Sequence, residues 1–374
     1  GMIGGGPGAF IGDVHRKAAA FDGLATLVAG SFSSSFDKTK ETGKELGLDE
    51  SRLYASYEEM AEREAAREDG IDFVSIVTPN HLHHRIAKAF LEKGIHVICD
   101  KPLTTSLADA EELQKLAKQK GLLFAVTYTY TGYPLVKHAR ELIKEGKLGE
   151  IRFVNAEYAQ DWLSTPAENE GLKQAEWRTD PKRTGIANAV GDIGTHVENM
   201  VSYLTGLKIS RLSARLDSFV SGRTLDDNAT IMVEYEGGAK GLYWVSQIAI
   251  GHDNGLRVRV FGSKAAIEFI QEEPNHLKVS WLGGPDHILS RGRDAVSDHV
   301  GGYQRVPAGH PEGFFEAFSN IYRTFSEGVA AAKSGKKVSD DDFDYTGVAY
   351  GVDGVRFIER CVESSKAGAK WIDY

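Results

Sequence analysis

Two stretches of the sequence carry side chains able to hold or move protons. One is "GDIGTHVENMVSYLTG", starting at Gly191, where Asp192, His196, Asn199 and Tyr203 recur at helical spacing beside an apolar stripe of Ile193, Val197, Met200 and Leu204. A carboxylate one turn from an imidazole can orient it for proton transfer, and polar groups aligned this way suit a helix face that lines a cleft. The same residues also fit a plainer reading, a helix cap at Asp192 and an ordinary surface histidine. Zinc would accept this pair too, but no further cysteine or histidine stands at a clear ligand spacing, so no metal is expected. The other stretch ends in Asp100-Lys101-Pro102. A residue before proline is pushed out of regular structure, which puts Lys101 where a strand gives way to a loop. A solvated loop lysine is the plain alternative there.

The elements that must position these groups are readable around them. In "VSIVTPNHLHHRIAKAFLEKGIHVICDKPL" a buried strand, Phe73 to Val77, runs into Thr78-Pro79-Asn80, and Asn80 can cap a helix over His81 to Lys93. A second strand, His96 to Cys99, ends at Asp100. Strands at Leu24 to Ala29 and Leu122 to Val126, and a helix from Leu107 to Lys120, complete an alternation that predicts βαβ units and a parallel sheet. The carboxyl ends of such strands open on one edge, where ligands bind.

At the start of the chain, "GGGPGAFIG" spans Gly4 to Gly12. A dinucleotide loop has the spacing G-x-G-x-x-G between a strand and a helix, so that backbone N–H groups face a pyrophosphate. Gly4 and Gly6 begin that pattern; the third position is Ala9, and Gly12 comes later. An acid for the ribose hydroxyl is missing after the second strand, where "GSFSSSFDK" offers Ser31 and Ser33, with Lys38 and Arg16 as cations in reach. NAD and NADP are both compatible with that.

Composition narrows the function classes. The chain has 374 residues, 41% hydrophobic and 26% charged, which suits two domains, and no run of apolar residues could span a bilayer. A formal charge of -9, with no basic stripe, excludes a nucleic-acid backbone as an expected partner. Cys99 and Cys361 are too few for a disulfide framework, so a reducing cytoplasm is expected.

Beyond residue 150 the pattern changes to long alternating strands, "IRFVNAEYA", "ATIMVEYEGG", "AKGLYWVSQIA" and "LRVRVFG", in which Leu256, Val258 and Val260 oppose Arg257 and Arg259. Gly237-Gly238 predicts a hairpin and an antiparallel sheet. The fold class is therefore α/β: a doubly wound parallel sheet over 1–127, then an α+β domain over 128–374 with a large open, mainly antiparallel sheet. A C-terminal helix, from about Tyr345 to Ser365, is expected to pack back on the body, with the first domain as one place for it. Between Asp161 and Asn188 lies a long segment of weak periodicity with Trp162, Trp177, Arg178, Lys182 and Arg183; such segments are often functional. Tyr128 and Tyr130 are further candidates, and His310 a weaker one.

The glycine-rich start, "TPNHLH", "DKP" and "GDIGTH" occur in the order and at the approximate separations of the Gfo/Idh/MocA family, and the chain resembles that family over nearly its whole length. The resemblance implies a Rossmann domain, then a domain whose open sheet joins subunits into a homodimer or homotetramer. It also implies a sugar, polyol or related carbonyl substrate with NAD(H) or NADP(H). The family's Glu-Lys-Pro stands here as Asp100-Lys101-Pro102, and its Asp-x-x-x-His as Asp192 and His196. Its shorter glycine loop aligns if Gly12 and His15 close it, leaving an insertion inside the loop. The expected cofactor contacts are Gly4, Gly6, Ala9, Phe10, Gly12, Ser31, Ser33, Thr78, Pro79, Asn80, His83, Asp100 and Lys101. Expected at the substrate are Lys101, Tyr128, Tyr130, Trp162, Arg178, Asp192 and His196.

Removing a hydride from an alcohol carbon requires the hydroxyl proton to leave, so His196 is read as general base oriented by Asp192, with Lys101 hydrogen-bonded to the reacting oxygen. Lys101 as the base is the alternative assignment. A glycoside hydrolase working by transient sugar oxidation would use the same residues. A non-catalytic cofactor-bound sensor would not need Lys101 and His196.

Overall fold

Apolar runs bounded by glycine, proline and capping residues become the strands of the first unit. The structure is a computed structural model and describes residues 1–293, 296 and 298–374, with every side chain among them except those of Lys173 and His299. Contacts divide the chain into one unit of Gly1–Thr129 with Phe318–Val352, and another of Tyr130–Ala317 with Asp353–Tyr374. This differs from the expected division in giving Phe318–Val352 to the first unit.

The first unit contains β1 (Met2–Gly4), α1 (Phe10–Ala20), β2 (Gly30–Ser31), α2 (Phe36–Glu45), α3 (Tyr57–Ala65), β3 (Phe73–Val77), α4 (His83–Glu92), β4 (His96–Cys99), α5 (Leu107–Lys120) and β5 (Phe124–Val126). Its five strands lie in the order β2-β1-β3-β4-β5, all parallel. The order reverses between β1 and β3, the point of an open parallel sheet at whose carboxyl ends ligands bind. Val74, Ile76, Val97, Ile98, Phe124 and Val126 are wholly buried, as strands covered on both faces require. Helix α5 shows how boundaries are set: Ser106 accepts from the Asp109 N–H at its start, and Gly121 closes it with φ 65°.

Three expected boundaries move. The second strand is Gly30–Ser31 and not Leu24–Ala29, because β1 is only three residues long and pairs Met2 with Gly30 and Ile3 with Ser31. Half-exposed Leu24 belongs to an irregular approach. Asn80 does not supply the expected helix cap; a 3₁₀ turn over Asn80–Leu82 intervenes, and α4 begins at His83. The C-terminal helix starts at Val348.

The second unit runs through α6 (Pro134–Lys144), β6 (Ile151–Ala159), α7 (Lys173–Arg178), α8 (Pro181–Thr184), a π turn over Val190–Gly194, α9 (Thr195–Thr205), β7 (Ile209–Asp217), β8 (Asn228–Tyr235), β9 (Lys240–Ser246), β10 (Gly255–Gly262), β11 (Ala265–Ile270), β12 (His276–Trp281) and β13 (Asp286–Ser290). The chain closes with α10 (Phe314–Lys333), α11 (Val348–Lys366) and β14 (Ile372–Asp373). Nine strands form one sheet in the order β13-β12-β11-β10-β6-β9-β8-β7-β14, antiparallel except where β6 runs parallel to β9. Alternation decides its two faces. Leu256, Val258 and Val260 are buried with Val154, Ala156, Tyr243 and Val245 on the inner face, while Arg257 and Arg259 stand on the outer one. Helices α6 and α9 pack against strands of this sheet.

Candidate active site

The glycine stretch makes a cradle out of backbone. After β1 the chain turns through Gly4 and Gly5 at φ 87° and 75°, a region that only glycine enters without strain. A Cβ on Gly12 would lie 2.4 Å from the Gly5 Cα, so Gly12 is what lets α1 dock on the loop. Its expected role as a phosphate contact becomes one of helix packing. Gly6 is held by its N–H on the Phe32 carbonyl at 3.1 Å, and a Cβ there would meet that same oxygen at 2.8 Å. Gly8, at φ 77°, has open space where a side chain would be. Ala9 stands at the N-cap of α1 with no side-chain cap, leaving the first-turn N–H groups without a side-chain acceptor. Gly5, Gly6, Gly8, Ala9 and Phe10 line a hollow of about 400 Å³ with Thr42 and Glu45. The glycine backbone and the first-turn N–H groups of α1 on one side of this hollow, with Arg16 also on its lining, fit a dinucleotide pyrophosphate.

The residues after β2 are hydroxyls, as expected, but they are not equivalent. Ser31 is buried in the strand, whereas Ser33 stands at its end, its Oγ accepting from the Ser35 N–H. Arg16 lines the glycine hollow, donating to the Gly5 carbonyl at 2.8 Å, and Lys38 is exposed.

Beyond β3 and β4, one histidine joins the two edge loops. The His83 ring is fully buried, with Nδ1 2.9 Å from the Pro102 carbonyl and Nε2 2.8 Å from the Thr78 carbonyl. Burial pushes its pKa down, although Asp100 and the two carbonyls favour the charged ring. With both nitrogens turned inward, His83 is a clamp and not the expected cofactor contact. Asp100 is similarly structural in part: its Oδ1 accepts from the Lys101 N–H and from Thr127 Oγ1, tying the ends of β4 and β5. Thr78 Oγ1 is buried without a hydrogen-bond partner in the protein. Lys101 is half-buried at this edge. His15, at the expected end of the glycine motif, is buried beneath it, bonded to the Tyr322 hydroxyl at 2.7 Å, and burial lowers its pKa to about 4. Tyr322 reaches Ser75 Oγ on β3 at 2.7 Å, so the neutral imidazole anchors α1 to α10 and the sheet.

In the second unit, Asp192 lies in the π turn and His196 in the first turn of α9, so the expected single helix is widened at this point. Such insertions are frequent at functional sites. Asp192 Oδ2 accepts from Arg178 Nε at 3.1 Å and from Gln247 Nε2 at 2.9 Å. The Arg178 guanidinium lies 4.3 Å from the Trp177 ring centroid and 5.7 Å from that of Trp162, which fixes its direction. The His196 ring packs against Tyr130 at 4.7 Å and Tyr158 at 6.0 Å between centroids. The two phenols bond each other; Asn254 Oδ1 accepts from Tyr158 at 2.6 Å, and burial pushes both phenol pKa values up, keeping them neutral. Tyr128 is 1% exposed. It is as enclosed as Tyr130 and His196, which are 6% and 7% exposed.

Sequence reasoning missed the amides. The inner faces of four adjacent strands end in polar residues at inward parity: Gln160 after β6, Gln247 after β9, Asn254 before β10 and Gln271 after β11. Asn254 bonds Gln160, Tyr158 and Gln271, and Gln271 donates to the Tyr133 hydroxyl at 3.1 Å. An amide where the alternation calls for an apolar side chain was the available signal.

Comparison with known proteins follows this geometry closely. Residues 1–128 match the oxidoreductase family model for an NAD-binding Rossmann fold, and residues 136–268 match the Gfo/Idh/MocA C-terminal domain. The chain belongs to the Gfo/Idh/MocA family. It is an oxidoreductase with an NAD-binding domain. It is 38% identical to the uncharacterized oxidoreductase YfiI of Bacillus subtilis, over 100% of this chain and 96% of that protein. An inositol dehydrogenase homolog from Azotobacter vinelandii, solved with NADH and myo-inositol, superposes with a TM-score of 0.94 at 40% identity, covering 100% of this chain and 96% of that one. Levoglucosan dehydrogenase of Pseudarthrobacter phenanthrenivorans is 27% identical over 89% of this chain and 93% of its own. A structure of a levoglucosan dehydrogenase with NADH and levoglucosan has a TM-score of 0.84 at 26% identity, over 100% of this chain and 98% of that one. Among the described residues, no helix is long and apolar enough to cross a membrane.

Proposed function

We propose that this oxidoreductase oxidises a hydroxyl of a sugar, cyclitol or related polyol, with His196 as general base, Asp192 orienting the site and Lys101 binding the reacting oxygen. The observation that carries this reading is the setting of His196, buried against two phenols that are bonded to strand-end amides, one turn from an ion-paired carboxylate. Phenols, amides and indoles supply hydroxyl partners and flat apolar faces, as a polyol ring requires. NAD, held by the glycine cradle, supplies the hydride acceptor. His196 takes the hydroxyl proton, and Lys101 lowers its cost by donating to the oxygen as charge grows. The inositol dehydrogenase homolog and levoglucosan dehydrogenase, solved with myo-inositol and levoglucosan, support this substrate class.

The second unit is also the proposed oligomerisation surface. On the outer sheet face Phe153 and Phe261 are cross-strand partners at 38% and 40% exposure, with Met232 at 47%. Covering that face with a second copy gives the expected homodimer or homotetramer. Buried, unbridged Cys99 and Cys361 fit a reducing cytoplasm.

A panel of myo-inositol, levoglucosan, glucose and xylose with NAD tests the activity. One NADH per oxidised product is expected. Cleavage of a glycoside without net NADH would replace the dehydrogenase reading with the redox glycosidase, and silence with every polyol would reject the substrate class.

A further inference from the structure

A buried acidic pair lies behind the Asp192 turn. Asp226 and Asp227 lead into β8, at 6% and 0% exposure. The two Asp226 carboxylate oxygens accept from the Asn188 N–H at 2.7 Å and the Val190 N–H at 2.8 Å, and its carbonyl accepts from the Ala189 N–H at 3.1 Å. Three successive N–H groups, immediately before or at the start of the π turn, thus hang on one residue. Asp227 anchors the other side: its carbonyl accepts from the Gln247 N–H at 2.9 Å, while its carboxylate takes the Phe219 and Val220 N–H groups. The side chains then close the path. Asn188 Nδ2 donates to Gln247 Oε1 at 3.0 Å, and Gln247 Nε2 donates to Asp192 Oδ2 at 2.9 Å. The carboxylate can only accept, which leaves one orientation for the Gln247 amide, and that orientation accepts from Asn188.

We infer that Asp226, Asn188 and Gln247 are positioning residues that act as a single relay, setting the place and direction of the Asp192 carboxylate. Asp226 holds the backbone from which Asp192 projects, and Gln247 holds its Oδ2. The Asp226-Asp227 peptide makes the two grips parts of one rigid body. Arg178, by contrast, reaches Asp192 from a helix of six residues. Burial raises the Asp226 pKa to about 6, a cost the fold bears to keep an acceptor pair in this position. This inference rests on the assignment of Asp192 to the reactive site.

The test uses the full-length enzyme with NAD and whichever of myo-inositol and levoglucosan it oxidises faster. Gln247→Met keeps volume and removes both bonds; kcat should fall roughly 10- to 100-fold, with KM and NAD affinity within about twofold. Asn188→Ala should lower kcat roughly 3- to 10-fold, and the double variant should be no worse than Gln247→Met alone. Multiplicative losses, or a Gln247→Met enzyme with unchanged kcat, would overturn the relay. Hydrogen exchange reads the same relay without turnover. Asp226→Asn, which can no longer accept from both N–H groups, should speed exchange selectively over 188–194. Unchanged exchange there overturns the inference, even in a protein that oxidises neither polyol. If Asp226→Asn does not fold, exchange over the same segment in Gln247→Met decides, with faster exchange expected. An inactive wild type with a responsive segment would instead reject only the substrate assignment.

Discussion

The two halves of the machinery are built from different materials. In the first unit the glycine cradle presents backbone, and its requirements are the absence of a Cβ at Gly6 and Gly12 and a left-handed turn at Gly4, Gly5 and Gly8. In the second unit Asp192 and His196 are set by side chains, a mesh of amides, phenols and one guanidinium drawn from several strands and helices. A backbone site is intolerant of added atoms, whereas a side-chain site is intolerant of lost ones. Substitutions that add and remove atoms should therefore have opposite patterns in the two units.

The largest effect should come from removing the proton acceptor. His196→Ala should lower kcat about 1,000-fold, and Lys101→Met by a comparable factor, both measured as NADH formation at saturating polyol. Full activity in either variant would take that residue out of the mechanism. Next, one added methyl in the first unit should be costly: Gly12→Ala must push α1 away from Gly5, so NAD affinity should fall about 30-fold or more by fluorescence titration. An unaltered NAD affinity would break the contrast between the units.

Glu198 sharpens the comparison in the other direction, since there the second unit buries a charge-bearing group whose Oε2 has no partner. Burial first, then nearby Asp353, raises its pKa to about 8. Below the ordinary carboxyl value the group is protonated in folded and unfolded chains alike. As pH rises from there toward 8 the unfolded chain releases the proton and the folded one keeps it, so stability falls. Glu198→Gln should lack that slope and gain roughly 1–3 kcal/mol over the wild type between pH 5 and pH 8.5 in urea titrations. A parallel pH dependence in both proteins would refute it. The smallest effect should be Gly8→Ala, where space is open and only the positive φ resists; about 1 kcal/mol of stability, seen as a shift of a few degrees in Tm, is expected.

That division of materials also explains what was legible in the sequence. Glycine, proline and the pair Asp192 and His196 keep a fixed spacing because each acts within one loop or one helical turn, so the cradle, the edge lysine and the helix motif could be read. Residues such as Gln247 and Asn254 owe their place to strand pairing across dozens of residues, which no local period encodes. Their trace was only parity. The misplaced second strand has a related cause: Leu24–Ala29 is an apolar run, but pairing is set by how far β1 extends, and β1 ends at Gly4. The carbonyl partners of His83 lie on two different loops, so its place as a clamp is set by tertiary structure and not by local spacing.

The rim of amides at the strand ends bears on reversibility. An alcohol oxygen both donates and accepts a hydrogen bond, while the carbonyl it becomes can only accept. A charged clamp would favour one of these partners. Carboxamides and hydroxyls carry both polarities within one side chain, and turning about a terminal torsion exchanges one for the other. The cluster of Gln160, Tyr158, Asn254 and Gln271 is therefore suited to a polyol's unreacting hydroxyls in both states, and any preference between the reduced and the oxidised ligand falls to Lys101, the cation proposed for the reacting oxygen.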